Sequence, residues 1–158
     1  MQRRFVIQAG AMLLGSLAAA SPVAALAAGK PSMEVWKSPT CGCCRDWIVH
    51  LQANGFQVTV HDVSEAAKAG QRLKLGLADK FGSCHTGLVD GYVVEGHVPA
   101  RDIARLLKER PKVVGLAVPG MPVGSPGMDG PLYQGRKDAY AVLLVQKDGN
   151  ASVYQAYR

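Results

Sequence analysis

The chain has 158 residues, 48% of them hydrophobic, and a formal net charge of +6. That length suits one domain able to bury a core without disulfide staples, and the composition excludes a disordered or collagen-like chain. The positive surplus is modest and has no basic tail or aromatic-basic stripe beside it, so it does not point to a nucleic-acid partner.

The N-terminus reads as a segment outside the fold. Arg3 and Arg4 form a positive n-region, Phe5 to Leu26 is apolar and rich in alanine, and Ala25-Leu26-Ala27 supplies small residues at a cleavage point. These features predict a signal peptide over residues 1–27, a mature chain of 28–158 and export to the periplasm. Cleavage removes two arginines and no acids, lowering the net charge to +4. A membrane anchor is the competing reading. It is disfavoured by Pro22, the many small residues and the cleavage-like end, and nothing later in the chain is apolar for long enough to span a bilayer. Arg3-Arg4-Phe5-Val6-Ile7 is a poor match to a twin-arginine export signal because polar flanks are missing, which favours ordinary unfolded export.

Along the mature chain, Glu34-Val35-Trp36 reads as an opening strand, and Ser38-Pro39 breaks it. A helix from about Cys43 to Ala53 follows, with Trp47, Ile48 and Leu51 at helical spacing and Gly55 as a stop. Phe56 to Val63 alternates as a second strand. Ser64 caps a second helix that runs unevenly through Gly70 and Gly76 towards Lys80. Gly87 to Glu95 reads as a hairpin turning at Asp90-Gly91, and a third helix runs from Pro99 to the residue before Pro111. A Gly/Pro-rich stretch from Val118 to Pro131 precedes two final strands, Ala139 to Gln146 and Ala151 to Tyr157. The order predicts an α/β fold: a single thioredoxin-like domain with an appended C-terminal β-hairpin. Its cysteine motif falls where the first strand meets the first helix.

Three of the four cysteines fall in Cys41-Gly42-Cys43-Cys44, and the fourth is Cys84. A helix N-terminus favours thiolates through its free N–H groups and dipole, and converging thiolates suit a soft cation. Cu(I) and Zn²⁺ are the candidates. Structural zinc sites usually use two separated ligand pairs, whereas here three ligands crowd into four residues, so Cu(I) fits better. Bridging thiolates could hold more than one Cu(I).

Two readings without a resident metal compete. Structural disulfides would suit an oxidising compartment, with Cys41–Cys44 bridged and Cys43 left for Cys84. A thiol-disulfide oxidoreductase would use Cys41 as attacker and Cys44 as resolver. Thioredoxin-like oxidoreductases carry a cis-proline opposite the cysteines. The corresponding stretch here, Gly82-Ser83-Cys84-His85-Thr86, holds a cysteine and a histidine instead, which favours metal over exchange.

Lys37-Ser38-Pro39-Thr40-Cys41-Gly42-Cys43-Cys44 with Trp47 resembles the exported metal-binding family, formerly a domain of unknown function, that includes the CopG copper-resistance proteins. Ser83-Cys84-His85-Thr86, Glu95-Gly96-His97-Val98-Pro99, Gly115 to Pro122 and Gly124-Ser125-Pro126-Gly127-Met128 extend the likeness over nearly the whole mature chain. The resemblance implies a thioredoxin-like fold, export, copper resistance or homeostasis, and a copper cluster on Cys41, Cys43, Cys44 and Cys84; storage, delivery and redox interconversion of Cu(I) and Cu(II) are all open to such a cluster. Its partners would be copper ions and periplasmic copper-handling proteins, with no membrane attachment after signal cleavage.

Four further residues are candidates for the metal or for its surroundings. His85 could ligate or hydrogen-bond a sulfur. Met121 and Met128 could offer thioethers to Cu(I), against an ordinary role as gap fillers, and their loop could lie over the cluster as a lid. Trp47 is expected to pack beneath the site and exclude water. His97 is read chiefly as a residue that fixes its own loop, and His50 and His61 as ordinary helix and strand residues.

Overall fold

The computed structural model describes residues 29–158. The signal peptide expected over residues 1–27 lies outside the described residues. The first strand, β1, spans Ser32–Lys37 and alternates cleanly, with Met33, Val35 and Lys37 buried. It leads into helix α1, Gly42–Ala53. Cys41 is the N-cap residue, and its side chain makes no capping hydrogen bond. A Ser or Asp cap would contribute only about 1 kcal/mol. The burial of Cys44, Trp47, Ile48 and Leu51 along one face stabilises the helix more, at about 1.5–3 kcal/mol for each large side chain.

Strand β2, Gln57–Asp62, runs parallel to β1 at one edge of the sheet. Helix α2, Glu65–Lys74, starts as expected: Ser64 Oγ accepts from the Ala67 N–H at 3.2 Å. It ends six residues short of Lys80. Gly76 adopts the left-handed region, and the chain re-forms only as a 3-10 turn at Asp79–Phe81. The side chains α2 buries are not apolar; they are Lys68 and Arg72.

Strands β3, His85–Val89, and β4, Tyr92–Glu95, form the hairpin around Asp90-Gly91. Helix α3, Ala100–Glu109, has Pro99 as its N-cap and ends at Arg110 in the left-handed conformation. Strand β5, Gly115–Ala117, is the element that periodicity did not reveal: three residues give no readable alternation. Strands β6, Tyr140–Val145, and β7, Ala151–Tyr157, form the C-terminal hairpin.

Among the described residues the architecture is mixed α/β, with three α-helices and one seven-stranded mixed sheet in the order β2-β1-β3-β4-β5-β6-β7. The pairs β1–β2 and β4–β5 are parallel and the others antiparallel. The C-terminal hairpin extends this sheet through β5–β6 pairing. It is also pinned to α3. Tyr157 donates to Asp102 and accepts from Arg101 Nε at 2.9 Å, while Arg105 lies over the Tyr154 ring at 3.6 Å.

The main core joins Trp47 and Leu51 of α1 with Ile103 and Leu106 of α3 over Val35, Val94 and Val142 of the sheet. A smaller cluster of Leu77, Phe81, Val93, Ala117 and Val145 fills the other face. No helix among the described residues is long and apolar enough to cross a membrane.

Candidate metal centre

The turn after β1 delivers Cys41 to the start of α1, and the helix carries Cys43 and Cys44 through its first turn. Cys84 arrives from the far side, immediately before β3. β3 lies antiparallel to β1, with Lys37 opposite His85, so the residue before β3 falls beside the residues that follow β1. Sulfurs forty residues apart in sequence thereby meet. One sulfur from each of Cys41, Cys43, Cys44 and Cys84 lies within 4.8 Å of all the others.

Cys41 and Cys44 are joined as a disulfide, and Cys43 and Cys84 are free. The Cys41 and Cys43 sulfurs are 3.6 Å apart. Cys44 is fully buried, its sulfur 3.6 Å from the Cys84 carbonyl oxygen. Burial, and then the neighbouring Cys43, push the Cys84 thiol up to about 12, against the lowering influence of the Ser83 hydroxyl and of Lys68. Cys84 therefore keeps its proton at neutral pH unless a cation replaces it.

Two imidazoles converge on the same sulfur. His85 is fully buried; its Nε2 donates to the Gly96 carbonyl at 2.9 Å, which leaves the Nδ1 lone pair facing Cys84 Sγ at 3.3 Å. His97, also fully buried, is fixed in the opposite sense. Its Nδ1 donates to the Pro126 carbonyl at 2.8 Å, and its Nε2 lone pair faces Cys84 Sγ at 2.9 Å. These carbonyl partners assign the tautomers. A single S–H can satisfy one of the two acceptors, not both. Burial lowers the basicity of both rings, that of His85 strongly, so they persist as neutral donors. Cys84, His85 and His97 form a second group whose ligand atoms lie within 4.8 Å of one another, sharing Cys84 with the four-sulfur group.

Trp47 lies beneath this array. Its Nε1 donates to the Val98 carbonyl at 2.8 Å, its ring centroid is 4.1 Å from that of His85, and it is fully shielded from solvent. The two methionines part company. Met121 is 53% exposed and lines a cavity of about 380 Å³ together with Cys41, Lys68, Ser83 and Cys84. Met128 is buried, and its thioether accepts from the Tyr133 hydroxyl at 3.1 Å. The loop between β5 and β6 packs directly on α1. At Gly127, with φ +85°, an added Cβ would lie 2.6 Å from the Cys43 carbonyl oxygen and 2.8 Å from the Trp47 nitrogen.

Sequence reasoning underrated His97. It fixes its loop as expected, through Pro126, but the same ring also addresses Cys84. The available signal was its place in Glu95-Gly96-His97-Val98-Pro99, one of the segments that carry the family resemblance. His50 has a local task, accepting from the Ala100 N–H at 3.1 Å, and His61 stacks on Trp36.

The fold and the site together define a mixed α/β protein in which the start of α1, the entry to β3 and the β4–α3 connection bring four cysteine sulfurs and two neutral imidazoles together. Residues 81–128 match a family described as a protein of unknown function, DUF411. Two solved structures are similar to the chain. One, named copper resistance protein CopG, form 1, is 50% identical, with a TM-score of 0.72 and coverage of 80% of this chain and 96% of the other. The other, form 2 of the same protein, is 51% identical, with a TM-score of 0.73 and coverage of 81% and 98%. No curated protein sequence matches this chain. The chain belongs to the family of the CopG copper-resistance proteins.

Proposed function

We propose that this protein is a periplasmic copper-binding protein of copper resistance or homeostasis. It has a thioredoxin-like fold and is exported behind a cleaved signal peptide over residues 1–27. Its cargo is Cu(I), held on Cys41, Cys43, Cys44 and Cys84, with room for a multinuclear copper-thiolate cluster and for interconversion of Cu(I) and Cu(II). The single observation that carries this reading is the convergence of four cysteine sulfurs within 4.8 Å in a protein 50% identical to one named for copper resistance.

The donor chemistry supports it. Thiolates select soft ions, and hard cations such as Ca²⁺ and Mg²⁺ want oxygen. His85 and His97 add neutral nitrogen, which suits Cu(II) as well as Cu(I), so a sulfur-nitrogen set can tolerate both oxidation states. Trp47 and the loop around Gly127 restrict water at the sulfurs, and Met121 stands at the open side where an ion would enter.

The Cys41–Cys44 disulfide favours a second reading, thiol-disulfide exchange with Cys41 attacking and Cys44 resolving. The two readings separate cleanly. Exchange predicts insulin reduction that survives Cys43→Ala and Cys84→Ala but not Cys41→Ala. Copper binding predicts no such turnover. The decisive experiment titrates the reduced chain with Cu(I) against a competing chelator, beside the four single Cys→Ser variants. Tight Cu(I) binding with thiolate-to-copper charge-transfer bands, weakened in each variant, is the expected result. Zinc that binds tightly and resists displacement by Cu(I) would overturn the copper assignment.

A further inference from the structure

The segment that carries the fourth sulfur is held by buried charges that the copper reading leaves unused. Glu95, at the end of β4, is fully buried. Its Oε1 accepts from the Ser83 N–H at 2.7 Å and its Oε2 from the Thr86 hydroxyl at 2.7 Å. The carboxylate thus grips the chain on both sides of Cys84 and His85. Arg72 Nη1 stands 3.5 Å from Glu95 Oε1, and the Arg72 guanidinium also bonds Asp79. One turn earlier on α2, Lys68 donates to the Cys84 carbonyl at 3.0 Å and pairs with Glu65 at 2.7 Å. Lys68 and Arg72 are only 4% and 7% exposed.

Stability does not explain this arrangement. Buried ion pairs lose much of their attraction to desolvation, and apolar side chains of the same volume often serve the fold as well or better. What the charges do secure is geometry. Residues 82–84 lie between the 3-10 turn and β3 and have no strand partners; beside the Gly82 N–H bond to the Asp79 carbonyl, the Ser83 hydroxyl bond to the Gly120 carbonyl and the Cys44 contact, Glu95 and Lys68 are what hold their backbone towards α1.

We infer that Glu95, supported by Lys68, is a positioning residue for the metal site: it fixes the backbone around Cys84 so that this sulfur meets the three at the start of α1. The inference rests on the four-cysteine copper reading and specifies what completes that site. Lys68 adds a buried positive charge beside sulfurs that become anionic on metal binding, which favours the loaded state.

The test is a double-mutant cycle on the reduced full chain, with Cu(I) as the probe against a competing chelator and the thiolate-to-copper band as a second readout. Glu95→Leu is expected to weaken Cu(I) binding by about tenfold or more and to alter the band, as loss of a ligand's supporting contact commonly does. Glu95→Gln, which keeps an acceptor for the Ser83 N–H and a side chain able to meet the Thr86 hydroxyl, should restore most of the affinity. In a Cys84→Ser background, Glu95→Leu should cause a much smaller further loss, confined to what acts through His85, because the sulfur it positions is gone. An equal loss in both backgrounds, or none in the native one, would overturn the positioning role while leaving the copper reading intact. An unchanged affinity in Cys84→Ser alone would sink the four-sulfur reading and this inference with it. If Glu95→Leu does not fold, Thr86→Val takes its place: a loss that depends on Cys84 supports the role, and a loss independent of Cys84, or none, rejects it.

Discussion

His97 Nε2 lies 2.9 Å from Cys84 Sγ while the other nitrogen of the same ring is tied to the Pro126 carbonyl. A residue of the β4–α3 connection is thereby locked by the long loop that follows β5, with its free lone pair aimed at the sulfur. Replacing it with phenylalanine keeps the ring but removes both nitrogens. His97→Phe should weaken Cu(I) binding by about 10- to 100-fold, and chelator competition measures it. An unchanged affinity would show that the ring serves only to hold the loop.

Alkaline stability should report Cys84. Its thiol is raised from an ordinary value of 9.0 to about 12, so the folded metal-free chain keeps a proton that the unfolded chain gives up. The contribution is fully present below pH 9 and is lost as pH climbs from 9 towards 12. Urea midpoints of the metal-free protein with its Cys41–Cys44 disulfide intact should fall over that window more steeply than those of Cys84→Ser. Parallel curves would refute the burial argument.

Loading the site should release protons for the same reason. Below pH 12 the Cys84 thiol must surrender its hydrogen to a bound cation, so Cu(I) affinity should rise with pH by about tenfold per unit from this group alone. A pH-stat titration with Cu(I) gives the count directly, and Cys84→Ser should release fewer.

Gly127→Ala tests the packing of the loop on α1. The position combines φ +85° with a Cβ that would collide with the Cys43 carbonyl. Backbone strain of this kind costs about 1–3 kcal/mol, and any relief would move Pro126 away from His97. Loss of stability together with weaker copper binding is expected. Loss of stability alone would mean the loop is uncoupled from the site.

Trp47→Phe removes the indole donor to the Val98 carbonyl in a fully buried setting, leaving that acceptor without its partner. A destabilisation of about 1–3 kcal/mol in urea unfolding should follow. Copper binding should also quench the fluorescence of this tryptophan, whose ring lies against His85, and that change should vanish in the variant.

The parts of this molecule that follow from local pattern were legible in the sequence. The Cys41-Gly42-Cys43-Cys44 run announces sulfurs at the start of α1, and Trp47, Ile48 and Leu51 mark the buried face of that helix. Ser64 and Asp90-Gly91 mark a helix start and a hairpin turn by the same local chemistry. What escaped depends on partners remote in the chain. Lys68 and Arg72 look like solvated helix residues until Cys84 and Glu95 are seen above them. The second lone pair at Cys84 depends on a carbonyl at Pro126, twenty-nine residues from His97, and backbone carbonyls leave no mark in composition. Strand β5 was hidden by being three residues long in a Gly/Pro-rich neighbourhood.

The Cys41–Cys44 bridge makes occupancy of the site a matter of electron supply. Two of the four sulfurs cannot coordinate while they are bonded to each other, so on the copper reading each empty, oxidised molecule needs two electrons, which free both thiolates, before it can take up a full complement of cargo. An oxidising surrounding would hold the protein closed to copper, and a donor of reducing equivalents would arm it. The capacity of such a population would then be set by the ambient redox poise as much as by the amount of protein present.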